Sequence, residues 1–354
     1  MRLESVKFTL QPFLMTEEAN AASSKPVGFR EELTDFWRAL PNKALFFFLF
    51  AAWLMLFHFF GNSTLGYVNT PSLFGWWLWV NTRGLDDLTV WEKPGRILAA
   101  DEAHAWLMPF VVLGLFWWKR RELEGVSKKT WWPALGLFIA ALLLHVFGHV
   151  VQQTRISLVA FFTGLYALTG LVWGARWLKA SFFPYFLFAF CFPLGSMADN
   201  ITFPLRMLAT NITTSLVGTV LGINVIQDGT RIFDAHGTFQ YEVAVACSGL
   251  RSLTAILLLS TIYGFITFKG TIKRLVMIVA AFPLAVASNV FRLATIIIAA
   301  EAFGQEAGNF VHDNSWFSLL PYLPGIGGIL LLSHWLREKK STSAPTANVV
   351  EQMV

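Results

Sequence analysis

Three residue types in this chain form a set able to carry acyl transfer. Cys247 heads an apolar run, and Arg251 follows one helical turn later on the same face. Arg292 lies inside a second apolar run, eight residues before Ala300, a drop of roughly 12 Å from its outer end at helical rise. Asn289 and Ser288 stand three and four residues before that arginine and give the helix a polar stripe. Pro283 can kink the same helix and free a carbonyl. His312 sits in a short segment without Lys or Arg.

An ionisable side chain in an apolar span costs about 2.5–3.5 kcal/mol on insertion scales, so its presence points to a task. A thiol at the start of a helix meets the positive end of the helix dipole, and a nearby guanidinium further favours the nucleophilic thiolate. Histidine moves protons near neutral pH, first from the thiol and then to a leaving amine. A permanently charged guanidinium stabilises the oxyanion of a tetrahedral intermediate. Cys, His and Arg thus suffice for a thioester route, and no cofactor is called for. The plainer alternative is that Cys247 only packs, as single cysteines in membrane helices usually do.

The elements that hold these residues must live in lipid. The 354-residue chain is 55% hydrophobic and 14% charged, with 34 Phe and 15 Trp, and its mean hydropathy is +0.55. Soluble domains carry about a quarter charged residues, so a soluble α/β enzyme, a disordered chain and a coiled coil are excluded. Eight stretches approach or reach the length a crossing helix needs: 44–60, 103–118, 131–147, 156–175, 182–198, 248–268, 275–300 and 316–336. The expected fold is an all-α polytopic membrane protein of about eight transmembrane helices. A leader at 1–43 precedes N-terminal helices at 44–183, a membrane core at 184–336 and a disordered tail at 337–354. Phe29, Leu33, Phe36, Trp37 and Leu40 share one face of the leader, which predicts a helix on the membrane surface. The leader is otherwise polar and mixed in charge, so no cleavable signal is expected before the spans.

Nineteen Lys and Arg fall in one set of alternating segments and six in the other, with Arg251 and Arg292 inside spans. Basic residues mark the cytoplasmic side, so both termini are expected in the cytoplasm and Cys247 at the outer face of the cell membrane. The net charge of +5 reports this topology and forms no nucleic-acid face. Two cysteines, Cys191 and Cys247, are too few for a disulfide framework. Segments 61–102, 199–247 and the 301–315 loop then lie outside. In 201–223, Arg206, Thr210, Thr213 and Thr214 share a face, which predicts an interfacial or re-entrant helix. Asp228-Gly229 between β-prone runs predicts a small hairpin before Cys247, to which 238–245 could add a third strand.

The run Ala246-Cys247-Ser248-Gly249-Leu250-Arg251-Ser252-Leu253, then Asn289-Val290-Phe291-Arg292, then His312 resembles the exosortase/archaeosortase family over roughly 184–336. The resemblance implies a multi-pass membrane cysteine transpeptidase. Its partners would be secreted proteins with a C-terminal sorting signal, meaning a short motif, an apolar helix and a basic tail, together with membrane lipid. It assigns Cys247 as nucleophile, Arg292 as oxyanion or substrate stabiliser and His312 as proton-transfer partner. Ser248, Gly249, Arg251 and Asn289 match supporting motif positions. Val245 stands where many members carry an acid, and Asp313-Asn314-Ser315 follow the histidine where many have a glycine. These departures bear on subfamily and substrate motif.

Two other readings use the same residues. A non-catalytic transporter or polysaccharide-export component would line its path with Arg251, Arg292 and Asn289 and have no need of Cys247. Against it, the polar residues gather at one face and no inverted repeat is visible. An intramembrane hydrolase would differ only in taking water as acceptor. His145 and His149 are spaced like metal ligands, with Asp101, Glu102 and His104 expected across the same face. No His-Glu-x-x-His pattern accompanies them, so metal is set aside. Cys191, mid-span among Phe and Pro, is expected to pack.

Overall fold

A computed structural model of the chain describes residues 28–64, 67–82, 104–194, 197–235, 237–242, 250–313, 317–320 and 322–337. In chain order the elements are α1 (Phe29–Ala39), α2 (Lys43–Phe60), α3 (Leu73–Asn81), α4 (His104–Trp118), α5 (Arg120–Gly125), α6 (Pro133–Val150), α7 (Thr154–Trp173) and α8 (Ala175–Phe186). A 3₁₀ turn (Leu187–Cys191) leads to α9 (Met197–Leu221), then strands β1 (Val225–Asp228), β2 (Arg231–Asp234) and β3 (Gln240–Glu242). The last elements are α10 (Leu250–Thr267), α11 (Thr271–Phe303), α12 (Gln305–Asp313) and α13 (Tyr322–Leu336). Among the described residues, α2, α6, α7 and α11 are long and apolar enough to cross a membrane, while α4, most of α10 and α13 are shorter apolar helices. Large apolar side chains such as Phe48, Phe110, Leu143 and Ile272 face outward, as a helical bundle with lipid for solvent requires. The chain is a multi-span, all-α membrane protein with one small sheet.

Aromatic packing builds the N-terminal half. Trp53 of α2 lies over Gly164 of α7, where any Cβ would overlap the indole. Its Nε1 donates to the Phe161 carbonyl at 3.1 Å. Close approach of this kind is what a small residue gives a membrane interface. Beyond α2, Asn62 Oδ1 accepts from Thr154 Oγ1 at 2.8 Å and its Nδ2 donates to the Thr70 carbonyl at 2.6 Å. The leader helix α1 rests partly on protein: Phe29 meets the Trp117 ring at 4.8 Å, and Phe36 joins the aromatic core. Arg120 and Arg121 pair with Glu32 at 2.6 and 3.3 Å. The hydrogen bond from Arg120, aided by Arg121, holds the Glu32 carboxyl below the ordinary glutamate range.

Two expectations are corrected, those for 182–198 and for the 301–315 loop, and the helix at 201–223 is placed in more detail. The stretch 182–198 is not one span: α8 ends at Phe186, the 3₁₀ turn follows, and Phe192 is already extended. Its aromatic side chains suit a bilayer, but Pro193 cannot continue a helix and disfavours helical backbone at Phe192. The helix expected at 201–223 is the 25-residue α9, and its polar stripe faces protein. Arg206, Thr210 and Thr213 are buried while Phe203, Leu208, Ile212 and Val220 are exposed. The threonines satisfy themselves on their own helix, Thr210 Oγ1 donating to the Arg206 carbonyl at 2.9 Å and Thr213 Oγ1 to the Ala209 carbonyl at 2.8 Å. Finally, most of the 301–315 loop is helix α12.

The hairpin is present. β1 and β2 pair antiparallel with Asp228 opposite Arg231, and β2 pairs with β3. The loop is Gly229-Thr230, and Gly229 takes φ +61°. Ile232 and Phe239 of the sheet pack with Val217 of α9 and with Ala294, Ile297 and Ala300 of α11. The sheet therefore rests on the far end of α11.

Candidate active site

α10 and α11 form a helical hairpin whose link is residues 268–270. Near the link, a Cβ added at Gly264 would lie 3.2 Å from Met277 Cβ. Equal counts outward along both helices set Leu250, the first residue of α10, level with the stretch 288–292 of α11. α13 wedges against both. At Gly325 an added Cβ would stand 2.7 Å from Ile256 Cδ1 of α10 and 2.9 Å from Ser288 Oγ of α11. This glycine fixes how closely the three helices meet beside the start of α10.

α11 has 33 residues, a length of about 50 Å, and continues well past the start of α10. On this overhang rest the sheet and α12. Gly304, at φ +86°, reverses the chain after α11. A glycine tolerates this conformation without strain. Gly308 of α12 then lies against Ala300 of α11, an added Cβ there being 3.0 Å from Ala300 Cβ. His312, one turn after Gly308, is on the same face of α12. Equal counts outward from Gly304 bring it level with Ile296, one turn beyond Arg292.

Each residue singled out by sequence can now be placed. Asn289 and Ser288 are buried in α11, and Arg292, one turn from Ser288, is half-buried. His312 is half-buried in the last turn of α12. Arg251 belongs to the first turn of α10, which contains no carboxylate to offset the positive end of the helix dipole. Cys247, Ser248 and Gly249 lie outside the described residues, as do Asp101 and Glu102. Cys247 precedes Leu250 by three residues, so chain length alone confines it to within about 11 Å of the α10 start. Among the described residues, Ser288 Oγ has no hydrogen-bond partner. The helix carrying His312 was not foreseen, although Gly304 followed by Glu306 in a first turn is a stop-and-start signal.

Outside this constellation, His145 is buried and shares a hydrogen bond between its Nδ1 and Ser157 Oγ at 3.0 Å, with Phe57 against its ring. Among the described residues no three His, Cys, Asp or Glu side chains converge as a metal set. Cys191 is buried against α4, its Sγ 3.8 Å from the Ala105 carbonyl. A cleft of about 740 Å³ opens between α7, α8, the 3₁₀ turn and α10, lined by rings such as Phe162, Phe182 and Phe186. Thr254, Leu257 and Thr261 present one face of α10 to it. That face runs back along the helix toward its first turn.

No curated protein and no solved structure matches the chain. A family comparison does: residues 91–320 match the family described as Transmembrane exosortase, a match that reaches back well before 184 and takes in α4 to α9 as well as the α10–α12 constellation. Covering about two thirds of the sequence, it establishes that this chain is a member of the exosortase/archaeosortase family of membrane proteins implicated in sorting-signal processing.

Proposed function

We propose that this protein is a membrane-embedded cysteine transpeptidase that cleaves a C-terminal sorting signal from secreted proteins on the extracytoplasmic face. One observation carries the reading: the start of α10, Arg292 of α11 and His312 of α12 come level at the same end of the bundle, within a few helical turns of one another. Two residues, Ser248 and Gly249, separate Cys247 from that helix start in the sequence. The dipole of α10 and Arg251 in its first turn favour a thiolate there.

In this mechanism His312 takes the thiol proton and the Cys247 sulfur attacks the scissile carbonyl carbon. The new C–S bond places negative charge on the carbonyl oxygen, which the Arg292 guanidinium stabilises. The C–N bond then breaks, and the leaving amine takes the proton held by His312. The product is a thioester to Cys247 and a released tail. An amine or hydroxyl acceptor next displaces the sulfur, and the thiol is restored. Asn289 and Ser288 supply the polar stripe that lets Arg292 sit in an apolar helix. The apolar cleft along the Thr254–Thr261 face is where the substrate's anchoring helix would lie, with its polar end toward the α10 start.

The test is processing of a reporter carrying the C-terminal tail of a secreted protein from the native host. Wild type should shorten it, while Cys247→Ala and Cys247→Ser leave it full length and correctly inserted. The mass of the new C-terminus then separates transfer from hydrolysis. Equal shortening by wild type and both variants would refute the thioester route and bring forward the transport reading, in which the thiol is dispensable.

A further inference from the structure

The Tyr241 side chain of β3 reaches across to α12. Its hydroxyl donates to the Gln305 carbonyl, the first residue of α12, at 3.0 Å. In return Gln305 Nε2 donates to the Gln240 carbonyl at 3.4 Å. Gly308, one turn into α12, lies directly under the tyrosine: an added Cβ would overlap the hydroxyl and stand 2.9 Å from Cζ. The ring itself packs on the cluster formed by Phe239 of the sheet and Ala294, Ile297 and Ala300 of α11. Burial pushes the hydroxyl's pKa up, so it remains a neutral donor across the physiological range.

The position of this residue in the chain gives the contact its meaning. Tyr241 stands six residues before Cys247, and Gln305 stands seven residues before His312. The same ring packs on the cluster that includes Ala294, two residues after Arg292 on α11, with Ile297 and Ala300. A single side chain therefore ties together the strand that leads to the nucleophile, the helix that carries the base and the helix that carries the guanidinium.

We infer that Tyr241 is a positioning residue: its hydroxyl, held on the Gln305 carbonyl over Gly308, fixes α12, and with it His312, against the sheet and α11. The inference rests on the reading of Cys247 and His312 as a thiol–imidazole pair. Tyr241→Phe keeps the ring and its packing and removes only the strut. Loss of one hydrogen bond of this kind corresponds to about a fivefold change in the population of the correct arrangement.

The readout is the pH dependence of Cys247 alkylation in the full-length protein in detergent, with iodoacetamide as probe. The chain has two cysteines, and Cys191 is 1% exposed, so the folded protein reports Cys247. His312→Ala should move the alkylation midpoint upward toward the ordinary thiol value of about 8.5. Tyr241→Phe should move it in the same direction by a smaller amount and slow reporter processing about fivefold. Its KM and membrane abundance should be those of wild type. Gly308→Ala, which drives the hydroxyl away from the other side, should act like Tyr241→Phe, and the double variant should be no worse than Gly308→Ala alone. If His312→Ala moves the midpoint while Tyr241→Phe leaves it in place, the strut is refuted and the pair stands. If neither moves it, the pair is refuted and the strut falls with it. Losses that multiply in the double variant also overturn the inference, because they would come from independent causes.

Discussion

Gly325→Ala tests whether the spacing of α10 and α11 governs activity. The added methyl would lie 2.7 Å from Ile256 Cδ1 and 2.9 Å from Ser288 Oγ, whereas ordinary contact begins at 3.4 Å. Relief therefore requires Ile256 Cδ1 and Ser288 Oγ to give by at least 0.7 and 0.5 Å, the differences between those contacts and that limit, and where their packing blocks rotation the helices that carry them must part. Ile256 lies six residues into α10 and Ser288 one turn before Arg292, so both movements fall within two turns of the start of α10 and of Arg292. Overpacking of this sort costs about 1–3 kcal/mol of stability, which a multi-span bundle tolerates. A displacement approaching 1 Å in a reacting arrangement costs up to about 10²-fold in rate. The expected result is a protein with near-normal membrane abundance, a slightly lowered melting temperature and processing slowed at least tenfold by the same estimate. Ile256→Val, which removes Cδ1, should restore part of the rate in the Gly325→Ala background. Gly327→Ala serves as the control, since nothing lies within 4 Å of its added Cβ. Processing at the wild-type rate in Gly325→Ala would refute the argument that this wedge sets the site, as would an equal loss in Gly327→Ala.

Other outcomes follow from the same geometry. Arg292→Gln should lower single-turnover processing by about 10²–10³-fold, the usual loss of one oxyanion donor, and Arg292→Lys should fall between the two; an unimpaired glutamine variant would remove Arg292 from the chemistry. Leu257→Trp, filling the cleft beside α10, should raise KM for an anchored reporter several-fold while leaving kcat in place, and a change confined to kcat would contradict a binding role for the cleft. Glu32 has a lowered folded-state pKa, so the docking of α1 is fully supported above the ordinary glutamate value of about 4.3 and is lost as pH falls through the lowered one. Pepsin should therefore cut α1 of wild type increasingly below that pH. Glu32→Gln should be cut throughout the acid range, and identical digestion of the two proteins would refute the pairing.

The parts legible in the sequence were those where one physical signal dominates. Asp228-Gly229 between β-branched runs marked the hairpin, although the two-residue loop proves to be Gly229-Thr230. The polar stripe of Ser288, Asn289 and Arg292 in an apolar helix marked a buried to half-buried face of α11, the face that the proposed site uses. What hydropathy could not supply was direction. In α9 the sequence shows that Arg206 and the threonines share a face but not what that face meets; each buried hydroxyl bonds its own helix, so the stripe can be buried against protein. The break after Phe186 was hidden by continuous apolar composition, although Pro193 carried the local signal. For the site, residue types and order could be read, but not the two reversals, at 268–270 and at Gly304, that bring distant positions level.

The overhang of α11, with the sheet and α12 resting on it, has a consequence for kinetics. In the proposed orientation it covers the end of the bundle toward the water, and the cleft beside α10 is lined by apolar and aromatic side chains that suit a lipid-facing flank. If the proposed substrate is held in the bilayer by its own tail, it reaches such a flank by lateral diffusion, and the search is two-dimensional. Encounter frequency then scales with the number of substrates per unit area of membrane, not with their number per volume of solution. Diluting a suspension of vesicles should leave the reaction rate per vesicle unchanged. Fusing those vesicles with blank lipid should slow it in proportion to the area added.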